Sequence, residues 1–312
     1  MRNLLDFKKI FVAGHNGMVG SAVVDSLKQK GVRNIITRCS SELDLINQAD
    51  VDAFFKEEQP DCVFFAAARV GGVQWYLSEP SRFLYENTMM SLNVIQSAHA
   101  HGVKFFVNIG SSCVYANNSP QPYKEDYNLH GPFEPTNEGY TLSKLMGVKM
   151  CEIYSRQFGF DVVTILPSSL YGIKASYDPK HSHVVASLIK RIHKAKNNKD
   201  ETVTAWGTGA PRRELLFSED VGNGIVHLGE VAKSGDIVNI GADDDIAIKD
   251  LADMIAEVIG YEGKIIWDIS KPDGVIYRRL SCEKQKAMGW TPKYTLREGL
   301  EKTYEYYLKE IV

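Results

Sequence analysis

Two segments about thirty residues apart carry the side chains best suited to chemistry: Gly110-Ser111-Ser112-Cys113-Val114-Tyr115 and Tyr140-Thr141-Leu142-Ser143-Lys144. A serine, a tyrosine and a lysine four residues beyond that tyrosine can together hold a substrate oxygen, exchange its proton and grip a nicotinamide ribose. Tyr140 and Lys144, at i and i+4, share one helix face. The lysine charge is then expected to favour the phenolate and lower the tyrosine pKa. A Tyr-x-x-x-Lys on its own is a weak signal, and core packing would explain the three residues separately. The signal gains weight because a glycine-rich turn opens the chain and an expected strand ends at the serine.

The elements that would position these residues alternate. Apolar runs at 9–13, 34–37, 62–66, 104–109 and 161–166 read as strands, and 21–30, 51–58, 81–101 and 140–158 as helices. Strands apolar throughout, alternating with helices, imply a Rossmann-type α/β fold, a doubly wound parallel sheet covered on both faces. After Tyr171-Gly172 the alternation breaks. The expected division is a cofactor-binding domain over 1–172, with part of 213–242 returning to it. A smaller mixed α/β substrate domain is expected over 173–312.

Between the first strand and helix lies Gly14-His15-Asn16-Gly17-Met18-Val19-Gly20, with glycines at a G-x-x-G-x-x-G spacing. Glycine permits a tight turn and close approach of backbone to a pyrophosphate, which the helix N-terminus attracts. An acidic residue closing the second strand would accept ribose hydroxyls and favour NAD. That place holds Arg38, followed by Cys39-Ser40-Ser41. A guanidinium pairs with a 2′-phosphate, so NADPH is the expected cofactor, with a solvated surface arginine as the alternative.

Composition narrows the classes. The 312 residues carry a net charge of −3 and no basic block, so neither nucleic acid nor a membrane surface is an expected partner. No apolar run approaches the ~20 residues that span a bilayer, and residues 1–9 lack a signal-peptide core. The five cysteines are scattered, odd in number and without C-x-x-C spacing, which reads as reduced thiols in a cytoplasmic protein.

Together these residues resemble the extended short-chain dehydrogenase/reductases, and within them the branch of GDP-4-keto-6-deoxy-sugar epimerase/reductases. The likeness runs almost end to end. It is carried by AGHNGMVGSA, AAARVGG, GSSCVY, EPTNEGYTLSK, His181-Ser182-His183-Val184, AWGTGAPRRE and Ser270-Lys271-Pro272-Asp273-Gly274. The resemblance implies Ser111, Tyr140 and Lys144 as catalytic groups, and Cys113 with His183 as the pair for epimerisation. For NADPH it implies Gly14, Asn16, Gly17, Met18, Val19, Gly20, Arg38, Ser40, Asp44, Leu45, Ala67, Ile109, Tyr140, Lys144, Pro167, Leu170 and His183. For a GDP-linked 4-keto sugar it implies Ser112, Val184, Arg191, Trp206, Arg213, Asp273 and Arg278. It also implies a homodimer built on the helices over 81–101 and 140–158, whose apolar stripes could otherwise be buried within one chain.

The chain departs from that pattern in places. Asn16 and Ser40 stand where the family often has arginine, which throws more of the 2′-phosphate contact onto Arg38. Ala116 replaces a proline, Ser169 replaces an asparagine, and Val275-Ile276-Tyr277-Arg278-Arg279-Leu280-Ser281 replaces a TPRKLLD string. The last changes fall near the sugar nucleotide and leave its identity, hexose or heptose, open.

Two reactions are expected at one site. Reduction needs a proton for the ketone oxygen from Tyr140, with Ser111 donating to the same oxygen as charge develops. Epimerisation beside the ketone needs an enolate, which the same oxygen clamp stabilises. Cys113 as thiolate base and His183 as acid would serve its two faces, although a lone buried cysteine is more often inert. His181-x-His183 has no nearby Cys or carboxylate pattern, so no metal is expected. Trp206 can stack on a base and Arg213 can pair with a diphosphate, though each is also ordinary packing or a solvated charge when read alone. The rival readings are a GDP-4-keto-heptose C4 reductase and, from a different class, a non-catalytic nucleotide-binding regulator on the same fold.

Overall fold

The computed structural model describes residues 1–312 apart from 128–130, 180, 272 and 274. In chain order the first half runs β1 (Ile10–Ala13), α1 (Met18–Gln29), β2 (Ile35–Ile36), α2 (Gln48–Glu58), β3 (Cys62–Phe65), α3 (Val73–Ser78), α4 (Pro80–Ala100), β4 (Phe105–Ile109), α5 (Glu138–Phe158) and β5 (Val162–Pro167). Every residue of β1, β3, β4 and β5 is buried, as strands covered by helices on both faces must be. The second half runs β6 (Ser169–Tyr171), α6 (Val184–Asn198), β7 (Thr202–Trp206), β8 (Arg212–Arg213), β9 (Leu215–Phe217), α7 (Ser218–Val231), β10 (Ile237–Ile240), β11 (Ile246–Ala247), α8 (Ile248–Ile259), β12 (Lys264–Asp268), β13 (Tyr277–Arg278), α9 (Glu283–Ala287) and α10 (Leu296–Glu310).

The main sheet has six parallel strands in the order β2-β1-β3-β4-β5-β10. This is the doubly wound α/β sheet expected from the alternation of elements. The strand order reverses between β1 and β3, and the crevice above their carboxyl ends is where such sheets take a ligand. One face packs Val12, Phe64, Val107 and Ile165 against Val23 and Leu27 of α1 and Ile225 of α7. The other packs Phe11, Phe65 and Phe106 against Phe55 of α2, Val94 of α4 and Cys151 of α5. A separate apolar core joins Ile189 and Ile192 of α6, Leu251 and Ile255 of α8, and Leu300 and Tyr307 of α10.

Several boundaries differ from the expected ones for local reasons. The first helix begins at Met18 rather than Ser21, because Gly17 is extended (φ −80°, ψ 170°) and stands as its N-cap. The second strand shrinks to two residues at the sheet edge, where only β1 offers a ladder. α4 and α5 pack along each other, yet Tyr85, Met146, Ile153 and Phe158 remain exposed, so the two helices do not bury all their apolar faces within one chain.

The chain after the sheet is pinned by a few buried carboxylates. Asp220, 4 % exposed, accepts hydrogen bonds from the backbone N–H of Lys293 (2.9 Å) and of Tyr294 (3.1 Å). These tie the segment ahead of α10 to α7, and burial raises the carboxyl pKa while the two bonds lower it. Asp220→Ala should cost about 1–3 kcal/mol by stranding two donors. That corresponds to a fall of roughly 2–5 °C in Tm for a chain of this size, which calorimetry checks.

Candidate active site

The cofactor turn is shaped by close approach. Gly14 at the end of β1 has φ +84°, and a Cβ there would lie 2.7 Å from the backbone of Ala67, just past β3. A side chain at Gly20 would strike the Gly14 carbonyl, so α1 is seated directly on the end of β1. Gly17 provides no side-chain cap, leaving the first N–H groups of α1, those of Met18 and Val19, for a ligand. Backbone donors at a helix N-terminus over the switch point fit the pyrophosphate of a dinucleotide. Asn16 is exposed beside this turn.

Around the second strand the picture is more constrained. Arg38 pairs with Glu58, donates to the Thr37 carbonyl at 2.9 Å, and lies over the Phe54 ring at 5.7 Å. Glu58 also receives Lys9 at 3.0 Å, so the guanidinium shares its carboxylate rather than standing as an isolated charge. Ser40 is exposed. The Asp44 carboxylate accepts from Ile46 N–H at 2.9 Å, and the Leu45 carbonyl accepts from Asn93 at 3.1 Å, which fixes this loop onto α4.

Ser111, Tyr140 and Lys144, the residues expected to be catalytic, come together at the ends of β4 and α5. Ile109 closes β4, Gly110 follows, and Ser111 is extended (φ −162°, ψ 148°) ahead of a short helical turn over Ser112–Val114. The Ser111 hydroxyl accepts from the Cys113 N–H at 3.4 Å, and Ser112 and Cys113 are buried. Lys144, 7 % exposed, donates to the Ile109 carbonyl at 3.0 Å. Burial pulls its pKa down to about 8, an effect that the Cys113 charge opposes. Tyr140 is buried against Tyr76, ring centroids 5.3 Å apart, with Phe83 and Cys113 in the same cluster.

The expected lowering of the Tyr140 pKa by Lys144 is not what this geometry produces. Burial, then Tyr76 and Cys113, push the phenol well up, and a hydrogen bond from Ser111 works in the opposite direction. The physical reason is that the Lys144 ammonium is spent on the Ile109 carbonyl and sits inside the fold, while the phenol is walled by aromatic rings. His183 lies at the N-terminus of α6, preceding Val184, with its surface exposed. Protein packed around it still desolvates the imidazolium and lowers its pKa. Pro167 ends β5 buried, and Leu170 of β6 packs against the sheet core.

Of the residues expected to bind the sugar nucleotide, Arg191, Trp206, Arg213, Asp273 and Arg278 gather about β7, β8 and β13, whereas Ser112 lies in the turn after β4 and Val184 opens α6. Trp206 is 47 % exposed, with the Arg191 guanidinium 5.1 Å and the Lys271 ammonium 5.9 Å from its ring. Arg213 and Arg278 stand opposite each other in parallel register. Burial and then the Arg278 charge lower the Arg213 pKa to about 10, with Glu134 and Asp273 opposing. The Arg278 Nε is buried without a partner among the described residues. Two facing cations, one with an unmet donor, suit a diphosphate. Asp273 accepts from the Thr208 N–H at 2.6 Å and its hydroxyl at 2.8 Å, which holds this loop to β7; its neighbours Pro272 and Gly274 lie outside the described residues. Among the described residues no group of three or more His, Cys, Asp or Glu is placed to hold a metal ion, and no helix is long and apolar enough to cross a membrane.

Sequence reading missed the aromatic wall of the site, Trp75 and Tyr76. They form one turn of α3 after Gly71-Gly72, and only the adjacency of two rings to a glycine pair hinted at them.

Residues 10–241 match the NAD dependent epimerase/dehydratase family, and the chain belongs to it. It is 44 % identical over 303 residues to "GDP-L-fucose synthase 1" of Arabidopsis thaliana, covering 97 % of this chain and 94 % of the relative. Among solved structures it is similar to a GDP-6-OMe-4-keto-L-xylo-heptose reductase from C. jejuni (TM-score 0.91, 31 % identity, 96 % of this chain and 97 % of the other). It is also similar to a GDP-mannoheptose C4 reductase from Campylobacter jejuni with NADP bound (TM-score 0.86, 30 % identity, 96 % and 98 % covered).

The buried lysine generates a pH prediction. Lys144 loses its proton as pH rises through about 8, so NADPH should bind more weakly above that pH. An unfolded lysine keeps its proton to about 10.5. The unfolded chain therefore binds the extra proton between the two values, and this residue's contribution to folding stability rises with pH there. Dissociation constants for NADPH on either side of about pH 8 check the first statement, and Lys144→Met should flatten the dependence.

Proposed function

We propose that this protein is an NADPH-dependent enzyme that epimerises a GDP-4-keto-6-deoxy sugar at carbons 3 and 5 and reduces its 4-ketone, a reading that its similarity to a relative named GDP-L-fucose synthase 1 supports. The observation that carries this reading is the convergence of Ser111, Tyr140 and a buried Lys144 beside Cys113, next to a turn built for a dinucleotide. In this reading residues 1–172 with part of 213–242 hold the cofactor, and 173–312 hold the nucleotide sugar. The exposed apolar faces of α4 and α5 support a homodimer, and the protein works in the cytoplasm.

When bound, NADPH supplies a hydride to the carbonyl carbon. The N–H groups at the start of α1 would hold its pyrophosphate, Arg38 would pair with its 2′-phosphate, and Lys144 and Tyr140 would hold the nicotinamide ribose. Arg213 and Arg278 clamp the GDP diphosphate, and Trp206 with Arg191 covers the base. Ser111 and Tyr140 donate to the ketone oxygen. Because Tyr140 is protonated at neutral pH, it is ready to give that oxygen its proton. The same two donors stabilise an enolate, so Cys113 can take a proton from the carbon beside the ketone and His183 can return one to the other face. The lowered pKa of His183 leaves its imidazole neutral near pH 7, so it must first collect a proton to act as the acid.

A second reading is a GDP-4-keto-heptose reductase. It is supported by the similarity to the two Campylobacter proteins and by the Val275 to Ser281 departures, where Ile276 is 66 % exposed next to the strand that carries Arg278. Turnover of GDP-4-keto-hexoses and GDP-4-keto-heptoses, with products assigned by NMR, separates the two readings. A wild type that oxidises NADPH with neither class would overturn both and leave a nucleotide-binding regulator.

Tyr140→Phe is expected to lower reduction by about 10²–10⁴-fold while leaving NADPH binding intact, as single-turnover absorbance would measure. Cys113→Ser should slow incorporation of solvent deuterium at carbons 3 and 5 far more than it slows reduction of an already epimerised ketone. If the wild type reduces a 4-keto sugar without exchanging either proton, Cys113 and His183 only shape the site.

A further inference from the structure

Trp75 stands outside every role assigned above, yet it packs on the aromatic cluster that holds Tyr140 and Cys113. α3 follows Gly71-Gly72 and folds back so that the indole packs on Gly71, where any side chain would collide with it. Phe83 of α4 meets it edge-on with centroids 5.0 Å apart, and the Arg69 guanidinium lies 5.7 Å from the ring. Arg69 is itself fixed: Asn87 exchanges two hydrogen bonds with its backbone, at 2.7 and 3.1 Å, and Glu86 takes its side chain. The next residue, Tyr76, accepts from the Gly71 N–H at 3.3 Å and lies against Tyr140. Trp75 thus belongs to the cluster that contains Tyr140 and Cys113.

On its remaining side Trp75 meets the other half of the molecule. The His181 ring lies over it, centroids 4.0 Å apart and planes at 33°. His181 is two residues from His183, in the segment leading into α6. The indole therefore bridges the wall that carries Tyr140 and Cys113 to the segment that carries His183. At this position its Nε1 is buried and has no hydrogen-bond partner among the described residues. An indole N–H is a donor only. Leaving such a donor buried and unpaired costs about 1–3 kcal/mol, so an orphan of this kind needs an explanation. The packing alone would be met by phenylalanine, which carries no such cost.

We propose that Trp75 is a specificity-determining residue whose indole N–H donates a hydrogen bond to a sugar hydroxyl, one other than the 4-oxygen held by Ser111 and Tyr140. The inference rests on the proposed GDP-4-keto-sugar reading and adds a substrate feature to it. A donor-only group in a dry wall recognises an oxygen and penalises an analogue that lacks it, because the donor is then left unpaired. The sugars accepted are those that present a hydroxyl to this wall, and the matching deoxy sugar is rejected.

Two measurements test it. In the first, Trp75→Phe keeps the aromatic packing and removes the N–H. With a substrate bearing the hydroxyl, KM should rise about tenfold with little change in kcat, the equivalent of one lost hydrogen bond. Across GDP-4-keto sugars lacking one hydroxyl at a time, the wild type should discriminate against one member, and Trp75→Phe should level that discrimination. Unchanged ratios in a variant with unchanged Tm overturn the proposal. The second measurement does not depend on turnover or on the variant being active. Four indole N–H signals are expected from the four tryptophans. The Trp75 signal, assigned by its loss in Trp75→Phe or, if that variant fails to fold, in Trp75→Tyr, should move on adding GDP-mannose and stay still with GDP alone. Movement with GDP alone, or none with either, overturns the inference. A wild type that binds GDP-mannose in this way but reduces no GDP-4-keto sugar would instead overturn the reading on which it rests.

Discussion

The hydrogen bond from the Lys144 ammonium to the Ile109 carbonyl is the contact on which the site depends. It ties the first turns of α5 to the last residue of β4, and so fixes where Tyr140 stands relative to Ser111. A cation this deeply buried is tolerated only because a carbonyl dipole receives it. The same burial brings its pKa down toward neutrality, so structural anchoring and sensitivity to proton concentration are two consequences of one placement. The parallel sheet supplies the carbonyl: β4 ends beside β3 and β5, and its terminal oxygen points out of the ladder at the helix that covers it.

Electrostatics at the two ends of the site are handled in opposite ways. Around Tyr140 the wall is aromatic, with Tyr76, Phe83 and Trp75 in the same cluster. Proton donors held there stay protonated, which favours giving a proton to an oxygen over taking one from it. Around β8 and β13 like charges are brought together: Arg213 and Arg278 face each other, a repulsive arrangement that a bound anion such as a diphosphate would relieve. Arg38 is treated differently again. Its pairing with Glu58 spreads one negative charge over Arg38 and Lys9.

Much of this was legible in sequence because it is local. Glycine spacing dictates the turn between β1 and α1, since Gly14 and Gly20 meet backbone within a few residues or across one strand pair. Tyr140 and Lys144 share a helix face by periodicity alone. Apolar runs marked the strands of the first half and, alternating with helices, their parallel pairing, while their order came with the fold. Resemblance carried the distant pair Cys113 and His183, for which spacing offers no clue.

What the sequence by itself determined was the alternation of strands and helices up to β5, the common helix face of Tyr140 and Lys144, and the glycine turn that opens the chain. Tertiary structure alone decided the charge state and surroundings of those groups. That Lys144 would bond a carbonyl, that Arg38 would meet Glu58 twenty residues on, and that Trp75 would reach His181 from the far half are long-range events. A pKa is set by desolvation and by neighbours within a few ångströms, and a packing contact by surfaces that meet only after folding. Neither quantity is a property of a residue's place in the chain, so neither could be read before the elements had docked.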